Sequence, residues 1–225
     1  MPFDQERAGF EVFRREITSR LDVRTDMENA ISEVYWTYDT SIRENRFIVG
    51  GVVELIVGAT LRACGVLIQH KGIIDGDIDL LFDDGEAGYS IKALFKKGSG
   101  TRLVNTMGSG ASIDRWHSAT LFLVTDRGIV YADPSLDWWM ANKDHCLTAS
   151  GDAISVKKRC IEKFAEAHPQ WWIPCRLPTE KDRATRPYPA KTHTADVAAQ
   201  ILMHKRTLSH AFMDLRPGEE IPGHD

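Results

Sequence analysis

Several recognisable chemistries are missing from this sequence. Its four cysteines, Cys64, Cys146, Cys160 and Cys175, form no CxxC pair, which argues against a zinc knuckle and predicts reduced, packed thiols. The eight histidines show no HExxH spacing. The Gly-Ser-Gly stretches at 98–100 and 108–110 lack the lysine that completes a phosphate-binding loop, so nucleotide hydrolysis has no support. No apolar stretch reaches the roughly 18 uncharged residues of a membrane span. The best candidate, Phe47 to Leu61, is shorter and interrupted by Glu54. The opening MPFDQERAGF lacks the basic-then-apolar layout of a signal peptide, and a cytoplasmic protein is the expectation. There is no internal repeat and no low-complexity tract. A net charge of −4 argues against a general nucleic-acid coat protein but leaves room for a local basic cleft.

What is present suits a single soluble domain: 225 residues, 43% apolar and 27% charged. Residues 4–21 space Phe10, Phe13, Ile17 and Leu21 at helical intervals. A second helix is predicted from about 26 to 43, with Thr25 as N-cap and Glu28 closing a capping box. A third, from about Gly50 to Cys64, is apolar on nearly every side, as buried helices are. The period then changes to two. Residues 66–70, 77–83, 89–95, 119–125 and 129–133 read as strands, the last two joined by a turn at Asp126–Gly128. The segment 152–167 reads as an amphipathic helix, 169–191 as a loop with short strands, and 194–213 as a last helix. Helices, then sheet, then helices give an α/β (α+β) domain with helices packed on a sheet. Residues 1–46 supply N-terminal helices, 47–133 the core, and 134–225 the helices and loops available for recognition or dimerisation.

Charge concentrates in one place. Asp75, Asp77, Asp79, Asp83, Asp84 and Glu86 crowd together, and Lys92, Lys96, Lys97, Arg102 and Arg115 follow. An acidic cluster beside a basic one suits a divalent metal and a phosphate. Alternation places Asp77 and Asp79 on the face opposite Ile78, Leu80 and Phe82, and Ser90 and Lys92 on the face opposite Tyr89 and Ile91. If these strands pair, Asp79 and Lys92 reach one ligand.

Glu54 is the only charge between Arg46 and Arg62, in what reads as the first turn of the buried helix. An ionised carboxylate there costs several kcal/mol unless compensated. The helix N-terminus contributes only about 0.5–1 kcal/mol. A buried arginine is one compensating partner; a divalent cation shared with Asp79 is the other. Two carboxylates and a lysine suit phosphodiester hydrolysis, because Mg²⁺ takes oxygen ligands and a lysine can orient the attacking water and offset developing charge.

With Glu54 on a helix, Asp79 on one strand and "SIK" ending in Lys92 on the next, the chain resembles the PD-(D/E)xK nucleases, and among them small type II restriction endonucleases. The stretch "ALFKKGSGTRLVNTMG" after that lysine also looks like those enzymes. The resemblance covers roughly residues 47–133. It implies a restriction-endonuclease-like mixed central sheet flanked by helices, Mg²⁺-dependent cleavage of double-stranded DNA, and a homodimer in which each subunit cuts one strand of a palindromic site. It implies Glu54 and Asp79 as metal ligands and Lys92 as the residue that positions or activates water. Ser90 stands where the family carries Asp or Glu; a hydroxyl is a poorer Mg²⁺ ligand, so Glu54 supplies the charge, and Ser90 and Asp77 contact the metal's outer shell. Arg102, Asn105, Lys96, Lys97 and the loop Gly108–Ser112 are candidates for phosphate or base contacts, since Arg reads guanine and Asn adenine through paired hydrogen bonds.

Two other readings use the same residues. "FIVGG" followed by "DIDLL" resembles the nucleotidyltransferase signature, with Gly50 and Gly51 holding a triphosphate and Asp77 and Asp79 binding metals. Its spacing is awkward, as 25 residues separate Gly51 from Asp77, and it leaves Glu54 and Lys92 without roles. A non-enzymatic DNA-binding protein with a degenerate site is the third. The pairs Trp138–Trp139 and Trp171–Trp172 read as packed aromatics, and His117 as a loop residue.

Overall fold

A computed structural model describes residues 3–71, 78–83, 85, 87–95, 100–105, 116–150, 153–179 and 193–215. The chain begins with three helices: α1 (Asp4–Ser19), α2 (Leu21–Thr37) and α3 (Arg43–Ala63). The helical spacing in α1 has the expected result at Phe10, Phe13 and Ile17, which are fully buried, but α1 stops at Ser19 and Leu21 opens α2 as an exposed residue. The second and third helices start earlier than the sequence predicts. The apolar stripe of α2 already opens at Val23 and runs through Met27, Ile31 and Val34, so burial draws the helix back past Thr25. Thr25 is therefore an interior residue. Glu28 does not close a capping box; its Oε1 accepts from Arg24 Nε at 2.9 Å and from the Arg176 amide at 2.8 Å. The α2–α3 bend is set at Asp39, whose Oδ1 accepts from the Ser41 amide at 2.8 Å. Buried Asn45 donates to the Asp39 carbonyl at 3.1 Å, drawing the polar turn Arg43–Arg46 into α3. Glu54 thus lies mid-helix, where the helix N-terminus no longer helps it.

Six strands form a mixed sheet, in the order β1 (Ile68–His70), β2 (Leu80–Phe82), β3 (Gly88–Leu94), β5 (Ala119–Val124), β6 (Gly128–Ala132) and β9 (Trp172–Ile173). β1, β2 and β3 are antiparallel, β3 and β5 run parallel, and β5 and β6 form the expected hairpin. That hairpin turns through two left-handed residues, Asp126 (φ 63°) and Gly128 (φ 112°). A second sheet, β4 (Gly100–Asn105), β8 (Ala153–Lys157) and β7 (Leu147–Ser150), was not foreseen. It corrects the helix expected from 152: Ile154 and Val156 alternate inward on β8, and the helix α5 begins at Lys158 and ends at Ala167. A helix α4 (Asp137–Cys146) contains Trp138 and Trp139. The last expected helix is two, α6 (Thr194–Leu202) and α7 (Ser209–Asp214). Between them Thr207 donates through both its amide (2.9 Å) and its hydroxyl (2.7 Å) to Asp26 Oδ2, which pins the break.

At the centre of the sheet β5 and β6 are buried at every position, and apart from Thr120 they are apolar for that reason. Tyr89, Ile91, Leu121 and Tyr131 face a core built with α1, α2, α3, α6 and α7. Leu94, Phe122, Val124 and Val130 face a second core with Trp139, Ile154, Val156 and Phe164. Trp139 lies in that second core and Trp138 packs against it edge to face, with ring centroids 4.8 Å apart. No described helix is long and apolar enough to cross a membrane.

The cysteines depart from expectation. Cys146 and Cys160 are joined in a disulfide between the end of α4 and the first turns of α5, with Cα atoms 5.5 Å apart. Cys64 and Cys175 are free and buried, and burial pushes each thiol up to about 12. Thiol titration without reductant is expected to find two reactive groups per chain after denaturation and none in the native protein at pH 8; four after denaturation would contradict the pairing.

Candidate functional site

Three adjacent strands and one helix bring the chemistry together. The register Leu80↔Tyr89 sets Asp79 opposite Ser90 across β2 and β3. Asp79 is held from both sides: its amide donates to the Tyr89 carbonyl at 3.0 Å, and its carbonyl accepts from the Lys71 amide at 3.1 Å. Its backbone is therefore as fixed as a central strand residue, although it precedes β2.

The Asp79 side chain turns toward β3. Oδ2 accepts from the Ile91 amide at 2.6 Å and from the Ser90 hydroxyl at 3.2 Å, and lies 3.5 Å from Lys92 Nζ. Oδ1 takes no hydrogen bond from the described residues, which leaves one carboxylate oxygen for a ligand. Glu54 comes from α3, across β1. Its Oε2 lies 3.6 Å from His70 Nε2, at the end of β1. The four ionisable side chains are all part-buried: His70 11%, Asp79 19%, Lys92 24% and Glu54 25% exposed.

Electrostatics tie the cluster together. Burial pushes the Asp79 carboxyl above the usual carboxylate range, the Lys92 ammonium pulls it back, and the negative Glu54 pushes it up again. The Ile91 amide and the Ser90 hydroxyl favour the ionised form, but the balance stays raised. Two carboxylates that repel one another across a partly desolvated gap form an arrangement that a cation relieves. Both donors are oxygens, which suits a hard cation, and Mg²⁺ commonly takes one or two protein carboxylates and keeps its remaining waters. Among the described residues no group of three His, Cys, Asp or Glu is placed to hold a metal ion; Glu54 and Asp79 are two oxygen donors that could contribute to one.

The structure thus brings Asp79, Ser90 and Lys92 together, with Glu54 near enough for its charge to act on Asp79. Ser90 is fully buried and spends its hydroxyl on Asp79, so it orients the carboxylate from the position a second carboxylate would hold. Arg102 is exposed on β4, and Asn105 ends that strand opposite Ala153; both belong to the second sheet rather than to the strands of the cluster. Asp77, Lys96, Lys97 and the loop Gly108–Ser112 lie outside the described residues. Gly50 and Gly51 lie inside α3, where their amides serve the helix, so they form no strand-to-helix turn for a triphosphate.

His70 escaped the sequence reading. Its alternation within "VLIQH" was legible, but only the register His70↔Leu80 and the passage of α3 over β1 show that it meets Glu54. The chain matches no protein-family model, no curated protein and no solved structure.

Proposed function

We propose that this chain is a Mg²⁺-dependent endonuclease acting on double-stranded DNA, of restriction type and working as a homodimer. One observation carries the proposal: a strand aspartate stands 3.5 Å from a lysine on the neighbouring strand, with a helix glutamate close enough for its charge to act on that aspartate. That is the arrangement implied by the resemblance of the sequence to PD-(D/E)xK nucleases. Fold-level likeness alone would not carry it.

Glu54 and Asp79 Oδ1 would hold the cation, which supplies Lewis-acid polarisation of the scissile phosphate when bound. His70 stands beside the Glu54 carboxylate, with Nε2 3.6 Å from Oε2. Ser90 and the Ile91 amide fix the Asp79 rotamer through Oδ2, so the free oxygen is aimed before substrate arrives. Lys92 is a charged donor beside Asp79. As an ammonium it orients the attacking water by hydrogen bonding and offsets the negative charge that grows on the phosphate. A second copy related by a two-fold axis would place an equivalent site on the other strand.

Digestion of supercoiled plasmid with and without Mg²⁺ tests the proposal. The wild-type protein is expected to give discrete linear products only with the metal. Lys92→Ala is expected to slow cleavage at least about a hundredfold and to lower the melting temperature, because the part-buried Asp79 carboxylate loses the ammonium that offsets its desolvation. Absence of cleavage in Mg²⁺ and Mn²⁺ alike, or incorporation of labelled nucleoside triphosphate without cleavage, would remove the nuclease reading.

A further inference from the structure

α3 carries three glycines, and packing accounts for two of them. A Cβ on Gly51 would stand 2.7 Å from Thr194 Cγ2, and one on Gly58 would stand 2.9 Å from Leu215 Cδ1. A Cβ on Gly50 would meet no described atom within 4 Å. Glycine is the least favourable residue inside a helix after proline, so Gly50 weakens α3 with no compensating contact in the described fold.

The surroundings of Gly50 suggest what its bareness serves. At 3.6 residues per turn, Gly50 shares one sector of α3 with Arg43, Arg46, Phe47 and Glu54. Exposure falls steadily along that sector. Arg43, Arg46 and Phe47 are exposed, Phe47 at 69%; Gly50 and Glu54 are half-buried; Val57 and Leu61, next in the same sector, are buried. Glu54 therefore lies where the helix passes under the fold, at the inner end of an open basic and aromatic stripe. No carboxylate among the described residues pairs with Arg43 or Arg46. Glu44, the nearest acidic side chain in sequence, projects from the flank of the stripe.

The geometry points to a DNA-docking track: the N-terminal turns of α3 carry the strand whose phosphate enters the Glu54–Asp79–Lys92 site. This rests on the nuclease reading and adds the residues that hold the strand outside the reacting centre. Arg43 and Arg46 offer guanidinium forks to phosphates. Phe47 offers an apolar face to a sugar or base edge, and Gly50 lets the sugar–phosphate backbone approach the helix closely. The helix rises about 1.5 Å per residue, so Gly50, Phe47 and Arg43 stand about 6, 10 and 16 Å from Glu54 along the axis. At about 3.4 Å per nucleotide, that spans two to five nucleotides from the cut.

The test is duplex binding by the full chain without divalent metal, so that no cleavage intervenes. The probe is a fluorescein-labelled 30-base-pair duplex, followed by anisotropy across a salt series. Arg43→Ala/Arg46→Ala is expected to lower the slope of log Kd against log salt by about 2. Gly50→Leu is expected to keep or raise the melting temperature while weakening binding at least tenfold. Phe47→Ala is expected to weaken binding without changing the slope. A wild-type slope in the double arginine variant, or wild-type affinity in a folded Gly50→Leu protein, overturns the track. So does a wild-type chain that fails to bind the duplex or that self-associates through this face instead. Both arginines are exposed, so the double variant remains informative whatever Gly50→Leu does to folding. Plasmid cleavage reads the other proposal separately: the expected binding pattern without cleavage leaves the track and removes the nuclease; cleavage with unaltered binding does the reverse.

Discussion

Asp79→Asn is expected to abolish Mg²⁺-dependent DNA cleavage, by about a thousandfold or more, while leaving the metal-free protein more stable than wild type at pH 7. The two effects share one cause. An asparagine oxygen can still accept from the Ile91 amide and the Ser90 hydroxyl, which now hold Oδ2 at 2.6 and 3.2 Å, so the local geometry survives. What disappears is a negative charge at the cation position. Removing it forfeits several kcal/mol of charge stabilisation in the transition state, and about 4 kcal/mol corresponds to a thousandfold.

The same charge is a burden on the metal-free protein. Asp79 is raised above its ordinary value mainly by burial, with Glu54 adding to the effect. An acid whose pKa is higher folded than unfolded binds its proton more tightly in the folded state. Its contribution therefore favours folding at low pH and declines as pH rises from the usual carboxylate value through the raised one. Asp79→Asn removes that decline and is expected to raise the melting temperature at pH 7 by roughly 2–4 °C, equivalent to about 1 kcal/mol. Thermal melts from pH 4 to 8 beside plasmid digestion check both halves. A variant that melts lower than wild type at pH 7 would mean that the Lys92 ion pair outweighs desolvation. A variant that still cuts would remove Asp79 from the site.

Asp133→Ala is expected to destabilise the fold by about 3 kcal/mol. Asp133 is fully buried at the end of β6. It accepts from Arg7 Nε at 2.9 Å and from a second Arg7 nitrogen at 3.0 Å, from the Tyr131 hydroxyl at 2.9 Å, and from Ser135 through its amide (2.9 Å) and hydroxyl (2.8 Å). Removing one partner of a buried ion pair costs about 3–5 kcal/mol, because the other charge stays behind without compensation. Arg7 keeps 22% exposure and can recover some hydration, which places the loss near the lower end. For a chain of this length the melting temperature should fall by roughly 6–12 °C. The network also fastens α1 to the sheet, since Tyr89 donates to the Glu6 carbonyl at 2.5 Å beside it. Ser135→Ala, which removes only the peripheral hydroxyl, should cost about 1 kcal/mol. Equal melting of the two variants would show that the Arg7–Asp133 pair contributes nothing net.

Local periodicity made much of the fold legible, because a buried face imposes its spacing on the chain. Phe10, Phe13 and Ile17 marked α1, and the alternation through Leu80–Phe82 and Tyr89–Ile91 marked the strands that carry the candidate site. The same alternation put Asp79, Ser90 and Lys92 on one face, and Glu54 stood out because a lone charge within an apolar helix needs a partner. Helix bounds were less legible. A polar turn such as Arg43–Arg46 becomes helical only through the buried Asn45 contact to the Asp39 carbonyl, which the pattern of apolar residues cannot register.

What the sequence determined by itself was an α+β chain whose Glu54, Asp79, Ser90 and Lys92 were available for one site. Tertiary structure alone decided how they meet. The parallel pairing of β3 with β5, the second sheet joining β4 to β8, the Cys146–Cys160 bond and the Arg7–Asp133 pair, 126 positions apart, all link distant segments. Periodicity records which side of a segment is buried but not what buries it. That is why His70 beside Glu54 and the open flank of Gly50 emerged only when α3 was laid across the sheet.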